Sequence, residues 1–132
     1  MTLVRLLAQR AEENRPIRVG VIGAGKFGSM YLAQARRTPG THIMALAELS
    51  PGRAKDALRR VCWPDEQFAA NSFEDAAETG RTFITEDSHA LVAADGLDVV
   101  IDATGIPALG IRHALLAAEY GRHIVMVNVE AD

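Results

Sequence analysis

The chain has 132 residues, of which 48% are hydrophobic, and this is enough apolar surface for one domain with its own core. Its formal net charge of -3 leaves no positive surplus for binding the phosphates of a nucleic acid. The single cysteine excludes an internal disulfide or a cysteine-rich zinc site and fits a reducing compartment, so we expect a cytoplasmic protein. The sequence has neither a secretory leader pattern nor an apolar run of membrane-spanning length, so we expect no membrane partner.

The first half of the chain alternates between helical and strand patterns. Residues 1–15 predict an amphipathic entry helix that ends before Pro16, with Thr2 as its N-cap. A buried parallel strand follows over residues 17–22, and a helix begins at Lys26 after a glycine-rich turn. A second strand over 42–47 and a helix from Pro51 to about residue 61 complete a βαβα unit.

The second half continues the alternation. A short helix is predicted near 73–79, a third strand at 82–84, a helix at 87–94 and a fourth strand at 97–102. A helix over 108–120 and a fifth strand at 123–127 complete the pattern. Right-handed crossovers then predict an α/β fold, a doubly wound, Rossmann-like parallel sheet with strand order 3-2-1-4-5. We expect residues 1–132 to form a single cofactor-binding domain of a longer protein, because such a fold normally continues beyond its fifth strand.

A glycine-rich turn joins the first strand to the following helix. It fits the pattern G-x-G-x-x-G and consists of Gly23, Ala24, Gly25, Lys26, Phe27 and Gly28. The first glycine permits the tight turn, the second lets the backbone approach a pyrophosphate, and the third lets helix and strand pack closely. Because amides at a helix N-terminus attract anions, the turn predicts a binding site for a dinucleotide, NAD or NADP. Lys26 is either a further phosphate contact or an exposed lysine.

Glu48 lies 20 residues after Gly28, at the end of the second strand. A carboxylate at this place can accept hydrogen bonds from the adenosine ribose, and its charge favours NAD over NADP. Arg53, in the next helix, would instead attract the 2′-phosphate of NADP, so the sequence leaves the choice of cofactor open.

Further candidate contacts follow the fourth and fifth strands. Ala103, Thr104 and Gly105 are predicted to line the nicotinamide half of the cofactor, at the point where ligands bind in such sheets. Asn128 and Glu130 follow the fifth strand at the same edge, either near the reacting end of the cofactor or on the surface.

No catalytic residue and no metal site can be identified from the sequence. His42, His89, His113 and His123 lie on different predicted elements without the spacing of metal ligands, and we assign them no role. Cys62 has no evident partner base, and a buried structural position is the favoured interpretation.

The segments at 19–28, 102–105 and 123–132 resemble homoserine-dehydrogenase-like oxidoreductases. The chain covers their N-terminal cofactor domain, and residues 3–10 are similar to the opening of the deoxyxylulose-phosphate-reductoisomerase-like branch. Val129 stands where homoserine dehydrogenases proper have lysine after Asn128, which argues against homoserine as the substrate. The resemblance implies NAD(P)-linked chemistry on a small hydroxyl or carbonyl substrate, with a second domain for substrate contacts and dimerisation.

The sequence therefore predicts the dinucleotide-binding domain of an NAD(P)-dependent oxidoreductase, which lacks its substrate domain and is catalytically incomplete by itself. A homo-oligomer would fit this family. The alternative is a non-catalytic NAD(P)-sensing module, which would use the same glycine turn. A flavin site or a methyltransferase also shares that turn but leaves the similarity at 102–105 unexplained.

Overall fold

Five short parallel strands form the sheet of the computed structural model, which describes residues 2–127. The strands are β1 (Ile17–Ile22), β2 (Thr41–Ala47), β3 (Phe83–Thr85), β4 (Val99–Asp102) and β5 (His123–Met126). Their order is β3-β2-β1-β4-β5, so the predicted doubly wound topology is confirmed. The chain adds β2 and β3 on one side of β1 and then returns to add β4 and β5 on the other side, and this reversal creates a crevice at the carboxyl ends of β1 and β4.

Six α-helices and one short 3₁₀ helix are described. They are α1 (Leu3–Glu12), α2 (Lys26–Ala35), α3 (Pro51–Arg60), the 3₁₀ helix (Asp65–Phe68), α4 (Phe73–Thr79), α5 (Ser88–Ala93) and α6 (Pro107–Glu119). Side chains cap several of them: Thr2, the predicted N-cap of α1, accepts from the amide of Arg5, and Ser50 accepts from the amide of Arg53 at the start of α3. Within residues 2–127, none of the helices has the length and apolar character needed to cross a lipid bilayer.

The hydrophobic core lies on both faces of the sheet. One cluster packs beneath α2 and α3 and includes Leu32, Leu46 and Leu58. The other packs beneath α4, α5 and α6 and includes Met44, Leu91 and Val100. Because both faces are covered, the central strands are apolar at consecutive positions instead of alternating, as the sequence of β1 and β2 predicts.

The entry helix α1 is present as predicted, but it buries none of its residues. It approaches the sheet at Gly40, which precedes β2 and has a φ of +84°. A Cβ at Gly40 would overlap the backbone of Leu7. The lack of a side chain at Gly40 therefore allows α1 to approach the domain closely.

Candidate functional site

The candidate site is an open cleft of about 580 Å³ at the carboxyl ends of the strands. Its walls come from the turn after β1, the end of β2 and α3, the start of α5, and the loop after β4 with α6. Parallel strands of this kind of sheet bind ligands at this edge. The cleft therefore brings together residues that are far apart in the sequence but share one end of the sheet.

The glycine turn forms one wall of the cleft. Gly23 has a φ of +98°, which a glycine adopts without steric cost, and its amide donates to the carbonyl of Ala47 at 2.9 Å. A Cβ on Gly23 would lie 2.9 Å from the carbonyl oxygen of Ala103, and a Cβ on Gly28 would overlap the carbonyl of Gly23. The first and third glycines are thus required for packing among the turn, α2 and the loop after β4.

Gly25 differs from the other two glycines of the turn. It is exposed, and a Cβ at this position would meet no atom within 4 Å. Gly25 is the N-cap of α2, whose first turn begins with Lys26 and Phe27. The space above Gly25 and the amides of a helix N-terminus, which have no intrahelical acceptors, suit the approach of a phosphate group.

Glu48 extends from the end of β2 back to the glycine turn. Its Oε2 accepts a hydrogen bond of 2.9 Å from the amide of Ala24, and its own amide donates to the carbonyl of Thr85. The side chain is half-buried and lines the cleft, and the exposed Arg53 lines the same cleft from α3. The carboxylate is therefore fixed in orientation, and a carboxylate has further lone pairs that can accept from a ligand.

The loop after β4 lies against the glycine turn. The amide of Ala103 donates to the carbonyl of Ile22 at 2.8 Å, and Ala103 and Thr104 both line the cleft. The hydroxyl of Thr104 donates to Asp102 Oδ1 at 2.7 Å and accepts from the amide of Ile106. Gly105 turns the loop with a φ of +71°. The Thr104 hydroxyl is thus used to shape the loop.

Two predicted contacts follow β5, at the end of the described part of the chain. Asn128 and Glu130 lie outside the described residues. The last described residue, Val127, donates its amide to the carbonyl of Asp102 at 2.9 Å.

His113 is a site residue to which the sequence assigned no role. It is 1% exposed, its Nδ1 lies 2.7 Å from Asp102 Oδ2, and its Nε2 lies 3.1 Å from Ser88 Oγ. Both His113 and Ser88 line the cleft. His113 follows Asp102 by 11 residues, so no local spacing rule connects the two residues. The only signal in the sequence was an aspartate at the end of an apolar strand, because a buried carboxylate needs a hydrogen-bond donor.

The other histidines and the cysteine lie away from this cleft. His42 is buried, and its Nε2 donates to the carbonyl of Arg81 at 2.7 Å; burial lowers its pKa, and the charge of Arg18 lowers it further. The expectation that Cys62 is buried is wrong, because its side chain is exposed. Cys62 has a φ of +68° in the turn after α3, and the chain reverses there so that Trp63 enters the core instead.

Comparison with known families gives a match over most of the chain. Residues 17–126 match the model of the Gfo/Idh/MocA oxidoreductase family with its NAD-binding Rossmann fold. The matched range begins at β1 and ends at β5, so it contains the whole sheet and the cleft. A comparison of the sequence with curated proteins found no match.

Solved structures of similar fold are oxidoreductases. Myo-inositol dehydrogenase from Lactobacillus casei, in complex with NAD(H) and myo-inositol, is 18% identical, with a TM-score of 0.61 over 84% of this chain and 28% of that chain. A 3-ketoreductase from Actinomadura kijaniata, in complex with TDP-benzene and NADP, is 24% identical, with a TM-score of 0.62 over 87% and 31%. An NAD-binding oxidoreductase from Klebsiella pneumoniae is 19% identical, with a TM-score of 0.59 over 84% and 27%. The chain thus spans less than a third of the length of these proteins.

These comparisons confirm the prediction of an NAD(P)-binding Rossmann domain, and the matching family is one of oxidoreductases. They do not support the narrower resemblance to homoserine dehydrogenases, because the matching family and the similar structures are of the Gfo/Idh/MocA type. The sequence segments behind that resemblance are the glycine turn and the strand ends, which are features of the fold that many dehydrogenases share.

Proposed function

The chain belongs to the Gfo/Idh/MocA family of oxidoreductases, and on that premise we propose that it binds NAD(H) in the cleft as the cofactor domain of an enzyme for a small hydroxyl or carbonyl substrate. The observation that carries the proposal is the joint position of the open glycine at 25 and the carboxylate of Glu48 on one cleft. The glycine leaves room for a pyrophosphate, and the carboxylate accepts from ribose hydroxyls.

The fixed orientation of Glu48 favours NAD over NADP. Its Oε2 is bound to the amide of Ala24, so the side chain cannot turn away from the cleft without breaking that bond. A 2′-phosphate on the ribose would stand beside this carboxylate and be repelled by it. Arg53 opposes this effect from α3, but its side chain is exposed, and solvent screens its attraction for a phosphate.

The chain's own residues bind and orient the cofactor, and a bound nicotinamide supplies the hydride chemistry. Hydride transfer also needs the substrate to be held against the nicotinamide ring. We therefore propose that a second domain outside this chain contacts the substrate, in agreement with the larger size of the similar structures. A sensing module would bind the cofactor in the same cleft, and that alternative stays a prediction.

The test is calorimetric titration of the chain with NADH and with NADPH, for the wild type and for Glu48→Gln. Glutamine keeps an acceptor for the amide of Ala24 but removes the charge, so it is a better-matched change than alanine. We expect the wild type to bind NADH at least about tenfold more tightly than NADPH, a difference of ~1.4 kcal/mol. We expect E48Q to reduce that preference, mainly by tighter binding of NADPH.

Two results would contradict the proposal at different levels. If neither dinucleotide binds the wild type, the cleft is not a cofactor site. If both bind and E48Q leaves their ratio unchanged, the cofactor site stands but Glu48 does not select between the cofactors.

A further inference from the structure

Three side chains form a line of hydrogen bonds from the centre of the sheet to the wall of the cleft. Asp102 ends β4 and is fully buried, and its Oδ2 lies 2.7 Å from Nδ1 of His113 on α6. Nε2 of His113 lies 3.1 Å from Oγ of Ser88, the first residue of α5. Ser88 is half-buried and lines the cleft. We call this line the Asp102–His113–Ser88 relay.

The partners of Asp102 fix the direction of its own hydrogen bonds, and a neutral His113 then fixes the direction of the bond to Ser88. Its Oδ1 already accepts from the amide of Thr104 at 2.9 Å and from the Thr104 hydroxyl at 2.7 Å. The carboxylate therefore acts as an acceptor on both oxygens, and Nδ1 of His113 carries the proton that it donates. With His113 neutral, Nε2 has no proton and accepts, so the Ser88 hydroxyl donates its only proton to His113.

The consequence is a hydroxyl that can no longer donate to a ligand. With its proton directed to His113, Ser88 Oγ offers only lone pairs to the cleft. A serine in solvent has no such polarity, because its hydroxyl rotates to donate or accept as required. The relay thus converts Ser88 into a fixed acceptor.

If the cleft binds NAD(H) as proposed above, this acceptor lies near the adenine end of the cofactor, and the inference rests on that proposed function. The amide of Glu48 is bonded to the carbonyl of Thr85, so the end of β3 lies directly beside the ribose site, and Ser88 follows three residues later. Beyond Glu48 the cleft is lined by the apolar side chains of Leu49, Ile106 and Leu109. Leu49 is 86% exposed and Ile106 is 49% exposed, so a flat apolar ligand bound between them would cover apolar surface that is now in contact with solvent.

We propose that the Asp102–His113–Ser88 relay presents its acceptor to the exocyclic amino group of adenine and makes the cleft select a 6-aminopurine dinucleotide over the 6-oxopurine analogue. The amino group of adenine is a donor, whereas the corresponding oxygen of hypoxanthine is an acceptor and would face the lone pairs of Ser88. A site built around one hydrogen-bonding group rejects a ligand that cannot satisfy it. Ser88 is thereby a specificity-determining residue, and His113 is a positioning residue that acts through it.

The test compares binding of NADH with binding of reduced nicotinamide hypoxanthine dinucleotide, measured by calorimetry. We expect the wild type to prefer NADH by about three- to tenfold, the effect of one neutral hydrogen bond. Ser88→Ala should bring the two affinities within about twofold of each other. Ser88→Thr keeps the hydroxyl and serves as the matched control, so we expect it to retain the preference.

A second variant separates the relay from the mere presence of a hydroxyl. In His113→Asn the side-chain amide can still donate to Asp102, but the acceptor at Nε2 is lost and Ser88 is free to rotate. We expect H113N to lose the preference although Ser88 is intact, a result that a purely structural role of His113 would not produce. If H113N does not fold, the comparison of S88A with S88T decides by itself.

The two proposals fail in different ways. If neither NADH nor the analogue binds the wild type, the proposed function is overturned, and the assignment of the relay to adenine is overturned with it. If NADH binds but the wild type and S88A show the same ratio of affinities for NADH and the hypoxanthine analogue, the relay does not select the base. The cofactor site stands in that case.

Discussion

Two glycines of the turn, Gly25 and Gly28, should separate stability from cofactor binding. Alanine at Gly28 would place a Cβ against the backbone carbonyl of Gly23, closer than 3.0 Å, and 3.8 Å from the Cβ of Ala103. A carbonyl cannot rotate away as the end of a side chain can. Gly28→Ala must therefore push α2 away from the turn that follows β1.

The size of the effect follows from two opposed contributions. Overpacking of a closely packed contact costs about 1–3 kcal/mol, and more when the backbone has to move. Replacing a helical glycine by alanine returns up to ~1 kcal/mol of helix propensity. We expect Gly28→Ala to lower the free energy of unfolding by about 1–2 kcal/mol, and to weaken NADH binding because the turn is displaced.

Gly25→Ala is the matched control. A Cβ at Gly25 meets nothing within 4 Å, and its φ of -74° is open to any residue. We expect the free energy of unfolding to stay within about 0.5 kcal/mol of the wild type. NADH binding should nevertheless weaken at least about tenfold, since the new methyl group occupies the place where the pyrophosphate approaches.

Urea denaturation followed by the fluorescence of the single, buried tryptophan measures the first quantity, and calorimetric titration measures the second. Unchanged stability of G28A would refute the argument that turn and helix are in close backbone contact. Unchanged NADH affinity of G25A would refute the placement of the pyrophosphate at this turn.

Two further predictions concern stability. Because burial lowers the pKa of His42, the unfolded chain takes up a proton before the folded chain does as the pH falls below about 6.5, and the free energy of unfolding should therefore fall with the pH in this range. His42→Gln should reduce this dependence on pH, measured by urea denaturation at several pH values. An unchanged dependence in H42Q would exclude His42 as its origin. Trp63→Phe removes the hydrogen bond of 3.1 Å from Nε1 to the carbonyl of Leu32 and should lower the free energy of unfolding by about 1–3 kcal/mol. Urea denaturation followed by circular dichroism measures this loss. A loss under ~0.5 kcal/mol would mean that the hydrogen bond does not stabilise the fold.

The sequence predicted the sheet order because each part of the pattern points to the same fold. The apolar run at Ile17–Ile22 is typical of a strand covered on both faces, and the glycine turn after it permits only a short path into α2. Helix and strand ends were displaced by a few residues, as for β4, which begins at Val99 and not at residue 97. Leu97 is buried next to that strand but lies between the turn at 95–96 and the first residue of the strand, so burial alone did not mark where the ladder begins.

Cys62 was misplaced because hydrophobicity does not report backbone direction. A cysteine beside a tryptophan in an otherwise polar segment indicates burial by composition. The left-handed conformation at Cys62 instead sends only Trp63 into the core, where its ring lies under the guanidinium of Arg36 at 5.7 Å. A positive φ at a residue other than glycine has little trace in sequence, so this error could not be avoided by pattern alone.

The part of the site that the sequence could predict is the part built from backbone. Phosphate binding by glycines and a helix N-terminus follows from chain geometry, which a short motif encodes, and the ribose carboxylate lies at a near-constant distance after it. His113 reaches the site from the middle of α6, on a face whose direction depends on how α6 packs against α5. Such a contact is set by tertiary packing, and no local spacing encodes it.

Asp102 shows why a residue that looks structural can set the chemistry of a binding site. A fully buried carboxylate is costly unless its lone pairs are satisfied, and here Thr104 satisfies one oxygen and His113 the other. That requirement of the fold places a proton on Nδ1 of His113, and in the neutral imidazole this leaves Nε2 as the acceptor for the Ser88 hydroxyl. The hydrogen-bonding polarity at the cleft wall is thus a consequence of burying a charge at the end of a central strand, and the affinity ratio for the two purine analogues measures that consequence directly.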